Sequence, residues 1–190
     1  MQWLRFMNAL DILRADHTRF RSLLPRLYDD SLPAEERNNT REEVEKLLKM
    51  HALIEEEIFY PAYKDATADR GDREMYYESI EEHHVIDMVL PELMPMNPES
   101  DGFRAKAKVL KELVEHHVGE EEEDFFPRAE ELLGSAKLEE LGRQMLERRS
   151  DLEQKWSTTM GNALRKAQTV AEKFTPTSVK DARVEANREG

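Results

Sequence analysis

Two histidine–glutamate pairs, His51 with Glu55 and His117 with Glu121, stand 66 residues apart (51 to 117, 55 to 121). Each pair runs into an aromatic residue and a proline: HALIEEEIFYP over 51–61 and HVGEEEEDFFP over 117–127. The same offset carries His17 onto His83, Leu24 onto Leu90 and Pro25 onto Pro91. A His and a Glu four positions apart share one face of a helix, so both reach a single point. The duplicated pattern therefore offers four imidazoles, His17, His51, His83 and His117, and two carboxylates, Glu55 and Glu121. A glutamate on the inner face of a helix is costly to bury alone and must meet a cation or hydrogen-bond donors. Neutral imidazole with bridging carboxylate suits a pair of iron ions, and by ligand chemistry alone also manganese or zinc. The expected geometry is one metal per half, with Glu55 and Glu121 bridging. Six protein ligands do not saturate two such ions, which leaves room for an oxo or hydroxo bridge or an exogenous small molecule. No catalytic residue is expected beyond the metal ligands.

Neighbours of these residues need sorting. His84 and His116 adjoin His83 and His117, but the 66-residue register matches them to Thr18 and Met50. They are expected at the surface or just behind the site. Glu56, Glu57, Glu120, Glu122 and Glu123 read as a solvated face, with Glu122 an alternative ligand if its helix is locally distorted. Tyr28, Tyr60 and Tyr63 fit packing better than a role in the site.

The positioning elements are helical. Leu10, Leu13, His17, Phe20, Leu24 and Leu27 step by threes and fours, the seam of a helix packed in a bundle. Pro25 should kink its last turn. A second helix, capped by Ser31 with Pro33 in its first turn, presents Val44, Leu47, Leu48, His51, Glu55 and Ile58 and should stop near Tyr60–Pro61. A polar loop is expected from Ala62 to Asp72. A third helix shows Tyr76, Ile80, His83, Ile86, Leu90 and Leu93 before a linker with Pro91, Pro95 and Pro98. A fourth, opening on Asn97–Pro98, repeats the second and ends at Phe126–Pro127. The expected fold is all-α, an up-down-up-down four-helix bundle over residues 1–130, with pseudo-repeats at about 8–61 and 74–127. A C-terminal helical extension follows over 131–170, amphipathic through Leu138, Leu141, Met145, Leu152, Trp156 and Met160, and suited to packing outside the bundle or to homo-oligomer formation. Residues 171–190 read as a disordered tail.

Composition narrows the functional classes. The chain has 190 residues, 7 Gly, 8 Pro and no Cys, which favours helices and excludes disulfides, thiolate metal sites and Cys nucleophiles. A net charge of −13 argues against nucleic acid as a partner, because phosphate binding needs clustered cations. No apolar run approaches a membrane span, and the opening MQWLRFMNAL turns polar too soon for a signal peptide, so a cytoplasmic protein is expected.

Four motifs together resemble the hemerythrin-like family, the HHE cation-binding domain: ADH at 15–17, His51-x-x-x-Glu55-Glu56 leading to YP, EH at 82–83, and His117-x-x-x-Glu121-Glu122 leading to FP. The resemblance covers about residues 8–130. It implies a four-helix bundle holding a non-haem di-iron centre that binds or reacts with hydrogen peroxide, dioxygen or nitric oxide, in a catalase-like or oxidative or nitrosative stress role. The alternative it implies is an iron or oxygen sensor without turnover. Two departures from the invertebrate oxygen carriers argue against reversible carriage. Asp87 stands where they have a second His, and Glu occupies both positions where they use one Asp. Ferritin-like di-iron proteins need Glu-x-x-His on two helices. Here that spacing occurs once, Glu81 to His84.

Overall fold

The computed structural model describes the backbone of residues 7–174 and the side chains of residues 7–159. The fold is all-α, with no strand among the described residues. The chain divides between Arg149 and Ser150 into two units, and every residue of the site lies in the first.

Helix α1 (Ala9–Leu23) opens on a reciprocal cap: Asn8 Oδ1 accepts from the Asp11 amide, and Asp11 accepts from the Asn8 amide. Its predicted seam is buried. Pro25 does not kink this helix but ends it, and the chain tightens into a 3₁₀ turn over Leu24–Tyr28, where a missing N–H at the start does no harm. Helix α2 (Ala34–Ile54) begins directly after Pro33. Ser31, expected as its cap, instead turns back and donates its amide and hydroxyl to Asp29 Oδ1 at 2.9 and 2.7 Å.

The expected stops at Tyr60–Pro61 and Phe126–Pro127 are not stops. A π turn over Glu55–Phe59 leads into α3 (Tyr60–Ala66), and a second over Glu121–Phe125 leads into α6 (Phe126–Phe174). Proline in an α-helix clashes with the carbonyl four residues back and lacks a donor. Widening the preceding turn, with the Tyr60 amide bonding Glu55 O and that of Phe126 bonding Glu121 O, relieves the clash and lets the helix resume. The predicted loop over 62–72 thus shrinks to Thr67–Asp69, and Asp69 caps α4 (Arg70–Leu93) by accepting from Gly71 and Asp72. Pro91, expected in a linker, lies inside α4. Helix α5 (Asp101–Glu120) is capped by Ser100, whereas Asn97, the expected cap, accepts from the Glu99 amide in the turn before it.

One hydrophobic core joins α1, the 3₁₀ turn, α2, α4 and α5 through Phe20, Leu24, Val44, Leu90, Leu110 and Val114. Each such side chain contributes about 1.5–3 kcal/mol by burial. A second cluster is aromatic: Phe59, Tyr60, Tyr63, Phe125 and Phe126 pack ring on ring where the π turns end and the helices resume. Helix α6 breaks at Gly134, whose φ of 69° suits glycine. Beyond it Leu138, Leu141 and Met145 are buried within the first unit, so this part of the amphipathic face is not left over for another chain. Gly142 sits against the Met7–Ala9 backbone, where a Cβ would come within 2.7 Å of Met7 O. In the second unit α6 continues through the half-buried Leu152 and Trp156 to Phe174. Met160 has no described side chain, residues 171–174 of the expected tail are still helical, and the rest of that tail lies outside the described residues. No helix among the described residues is long and apolar enough to cross a membrane.

Candidate metal centre

Helix α1 supplies His17, α2 His51, α4 His83 and α5 His117, while Glu55 and Glu121 open the two π turns. None of the six is more than 5% exposed. The structure brings them all together. Glu55 Oε2 lies 3.1 Å from His51 Nε2 and 3.3 Å from His83 Nε2. Glu121 Oε2 lies 3.2 Å from His17 Nε2 and 3.5 Å from His117 Nε2. The Nε2 atoms of His83 and His117 are 3.0 Å apart. Two groups of donor atoms converge: His17, His51, Glu55 and Glu121 in one, Glu55, His83 and His117 in the other. The two histidines of one repeat thus fall in each group, with Glu55 in both. Glu121 is grouped with the first alone.

Each imidazole turns its other nitrogen outward to a carboxylate. Nδ1 of His17 meets Glu122 at 2.9 Å, of His51 Asp16 at 3.2 Å, of His83 Glu56 at 2.9 Å and of His117 Glu82 at 2.8 Å. A carboxylate can only accept, so Nδ1 carries the proton and the Nε2 lone pair points into the site, as metal coordination requires. Glu56 is exposed, as expected, but its carboxylate also holds His83, and Glu122, expected on the same solvated face, is half-buried against His17. The helix bearing Glu122 is indeed distorted, but the distortion leaves Glu121 inside and Glu122 outside, bonded to His17 and to Arg21 at 2.7 Å. A signal was present: Asp16 to Glu82 and Glu56 to Glu122 repeat the 66-residue offset. His84 and His116, by contrast, are exposed, as expected.

Tyr60 also departs from expectation. A π turn stacks residues five apart, so Tyr60 comes round over Glu55 and Phe126 over Glu121. The Tyr60 ring stacks on His83 at 5.6 Å and its hydroxyl donates to Glu121 Oε1 at 2.8 Å. Phe126 stacks equivalently on His17 at 5.5 Å. Tyr63 is buried beneath, its hydroxyl 3.8 Å from Met75 Sδ, and Tyr28 stands apart at the end of the 3₁₀ turn.

The electrostatics are those of charge held without water. Burial, reinforced by the neighbouring Glu121 charge, pushes the Glu55 carboxyl well above the ordinary range. Burial acts the same way on Glu121, but the imidazoles of His117, His17 and His51 outweigh it and hold that carboxyl low. Burial pushes His51 down to about 4. It opposes the charge on His117 too, yet Glu121 and Glu82 prevail and raise that imidazole. Both oxygens of Glu55, Oε2 of Glu121 and Nε2 of His17 and His51 are buried without a hydrogen-bond partner. Buried polar atoms are rarely orphaned. Five orphans aimed at one another are satisfied together by cations, and the donor set fits a pair of them.

Comparison with known proteins agrees with this arrangement. Residues 8–129 match the family described as the hemerythrin HHE cation binding domain. The uncharacterised protein Rv2633c of Mycobacterium tuberculosis is 29% identical over 143 residues, 75% of this chain and 85% of that protein. A protein named DNA nickase from Nostoc sp. is 25% identical over 149 residues, 78% of this chain but 41% of its own length, so the chain spans about two fifths of that relative. Among solved structures, the HHE cation-binding domain protein of Mycobacterium kansasii, a homologue of Rv2633c, superposes with a TM-score of 0.66 and 28% identity, covering 86% of this chain and 93% of that one.

Proposed function

This chain belongs to the hemerythrin HHE cation-binding domain family, and from that premise we propose that its buried centre holds two iron ions and binds or reacts with hydrogen peroxide, dioxygen or nitric oxide. The observation that carries the reading is the set of orphaned, inward-facing atoms on Glu55, Glu121, His17 and His51. His17, His51, His83 and His117 would be the nitrogen ligands, and Glu55 and Glu121 the carboxylate ligands. Bound iron supplies redox chemistry toward small oxygen and nitrogen species. The protein orients the imidazoles through Asp16, Glu56, Glu82 and Glu122, excludes water with the Phe59–Phe125 aromatic layer, and holds a donor at Glu121 through Tyr60. With Asp87 exposed on α4 and no further imidazole there, the ligand set leaves places for an exogenous molecule.

Anaerobic reconstitution tests the reading. We expect about two iron equivalents per chain, a near-ultraviolet absorption on oxidation, and oxygen evolution from peroxide that His51→Ala abolishes. Iron well below one equivalent would end it. The activity named for the Nostoc relative is not carried over, since the shared stretch is a minority of that protein and a charge of −13 opposes phosphate binding.

One observation favours a second reading, sensing without turnover. Arg149 of α6 bonds Asp16, which in turn holds His51, so the centre and α6 share a carboxylate. Identical protease resistance of the metal-free and iron-loaded chains would remove that reading.

A further inference from the structure

Outside the buried centre, Glu82, His116 and Glu120 each bring one ligand atom within 4.8 Å of the others. His116 Nε2 lies 3.4 Å from Glu82 Oε1 and 3.2 Å from Glu120 Oε1. His116 and Glu120 share a face of α5 by their spacing of four, and Glu82 reaches across from α4. The His116 side chain is 65% exposed, so packing does not account for its position.

The trio belongs to one half of the molecule alone. Sixty-six residues earlier stand Asp16, Met50 and Ile54. Asp16 is bonded by Arg149, and Met50 and Ile54 are buried apolar side chains. The duplicated centre therefore does not demand this arrangement.

Glu82 faces both ways. Its Oε2 accepts from Nδ1 of His117, while its Oε1 faces His116. Beside the trio a cleft of about 270 Å³ is walled by Glu74, Glu78, Glu120 and Asp124 and reaches Ser79 and Glu121. Glu120 is common to the trio and the cleft. Glu121, 1% exposed, lines the inner end of the cleft and turns its Oε2, which has no hydrogen-bond partner, on toward the buried centre. The acidic walls thus lead to a buried polar group that itself calls for a cation.

We propose that Glu82, His116 and Glu120 form an outer divalent-cation site, and that the adjoining cleft conducts cations from it to Glu121. For the cation's destination this rests on the reading of the buried centre as a metal site. One imidazole and two carboxylates suit first-row divalent ions such as Fe(II), Mn(II) and Zn(II). Solvent competes for an exposed site, which keeps the hold weak and the ion transferable. Negative walls concentrate cations and raise the rate of their arrival.

The test uses the full chain, metal-free and anaerobic, against a His116→Ala/Glu120→Gln variant, with His84→Ala as a surface control. Mn(II) is the probe for counting sites, read from the electron paramagnetic resonance of free Mn(II), and loading of the centre is timed by chelator quench after mixing with Fe(II). We expect the unmodified chain and the control to hold one weakly bound Mn(II) that the double variant lacks. Fe(II) loading of the double variant should slow on the order of ten-fold, with an unchanged melting temperature and unchanged final iron content. A double variant that keeps the weak Mn(II) overturns the outer site. Loss of that Mn(II) with an unchanged loading rate overturns the conduit. If no chain takes up tightly held iron, the preceding reading of the buried centre fails, while the Mn(II) count still decides the outer site.

Discussion

The Tyr60 hydroxyl donates to Glu121 Oε1 at 2.8 Å, whereas its counterpart in the other repeat, Phe126, brings Glu55 no donor at all. The two buried carboxylates are thereby unequal. One carboxylate is supported by a phenol, and the other is left with both oxygens orphaned.

Tyr60→Phe therefore removes the hydroxyl bond to Glu121 at no change in shape. A buried acceptor left without its donor costs about 1–3 kcal/mol. The expected result is a loss of that size in the metal-free chain, read from the midpoint of urea unfolding with chelator present. An unchanged midpoint would show that the bond contributes nothing.

The outer carboxylates should matter to the centre without touching it. Glu56→Ala and Glu122→Ala each free one imidazole to rotate and lower its basicity. Such losses typically weaken metal affinity 10–100-fold. The exposed Glu123 serves as control, since Glu123→Ala removes a charge of the same sign from the same π turn without touching a histidine. Chelator competition on all three variants gives the comparison, and equal affinities would dismiss the positioning role.

Glu55 and His51 respond oppositely to pH. Burial raises the folded Glu55 carboxyl above its ordinary 4.5, so its proton contributes stability below that pH, and the contribution is lost as pH rises through the folded value. Burial lowers His51 from 6.5 to about 4, so its contribution is complete above 6.5 and is lost as pH falls toward 4. In metal-free chains, Glu55→Gln mimics the protonated acid and removes the first dependence alone. The stability of that variant relative to the unmodified chain should rise above about pH 4.5 by up to roughly 1.4 kcal/mol per pH unit. Parallel stability curves between pH 4.5 and 7 would contradict a protonated Glu55. Metal loading must expel the same proton, so affinity should tighten as pH rises across this range.

Arg149 bonds both oxygens of Asp16, which is 1% exposed and also holds His51. Burial raises the Asp16 carboxyl, but the bond to His51, together with the pairing with Arg149, outweighs it and keeps that carboxyl below its usual range. Arg149→Ala leaves that charge half-compensated. Breaking one side of a buried pair costs about 3–5 kcal/mol, and the partly exposed Arg149 side chain brings the expectation to about 2–4. Adding Asp16→Asn should recover part of the loss. Thermal melts of the two single variants and the double variant measure the coupling, and strict additivity would rule it out.

The histidines and glutamates that the structure gathers were legible because duplication and the helical period point the same way. His17 and His83 sit in apolar seams, and His51–Glu55 and His117–Glu121 repeat a spacing of four. What escaped the helical period was its local suspension. FYP and FFP read as terminators because proline ends ordinary α-helices, yet a widened turn admits it. That widening is what rotates Tyr60 inward. Glu56 and Glu122 were obscured for a different reason. In runs such as EEE and EEEED, composition alone does not separate a hydrogen-bonding carboxylate from a solvated one, and only the shared offset with Asp16 and Glu82 marks them. Caps were misplaced where two polar residues competed: Ser31 and Asn97 each closed a turn instead of a helix.

The bonds from Glu56 to His83 and from Glu122 to His17 cross between the repeats, each hairpin lending the other one carboxylate. A solitary hairpin would hold its own Asp16–His51 or Glu82–His117 bond and lack the exchanged one. Two hairpins that repeat one pattern, paired with each other, satisfy the whole inventory. The first unit is thus built as two halves that complete each other, and Tyr60, matched in register by Phe126, is where those halves differ.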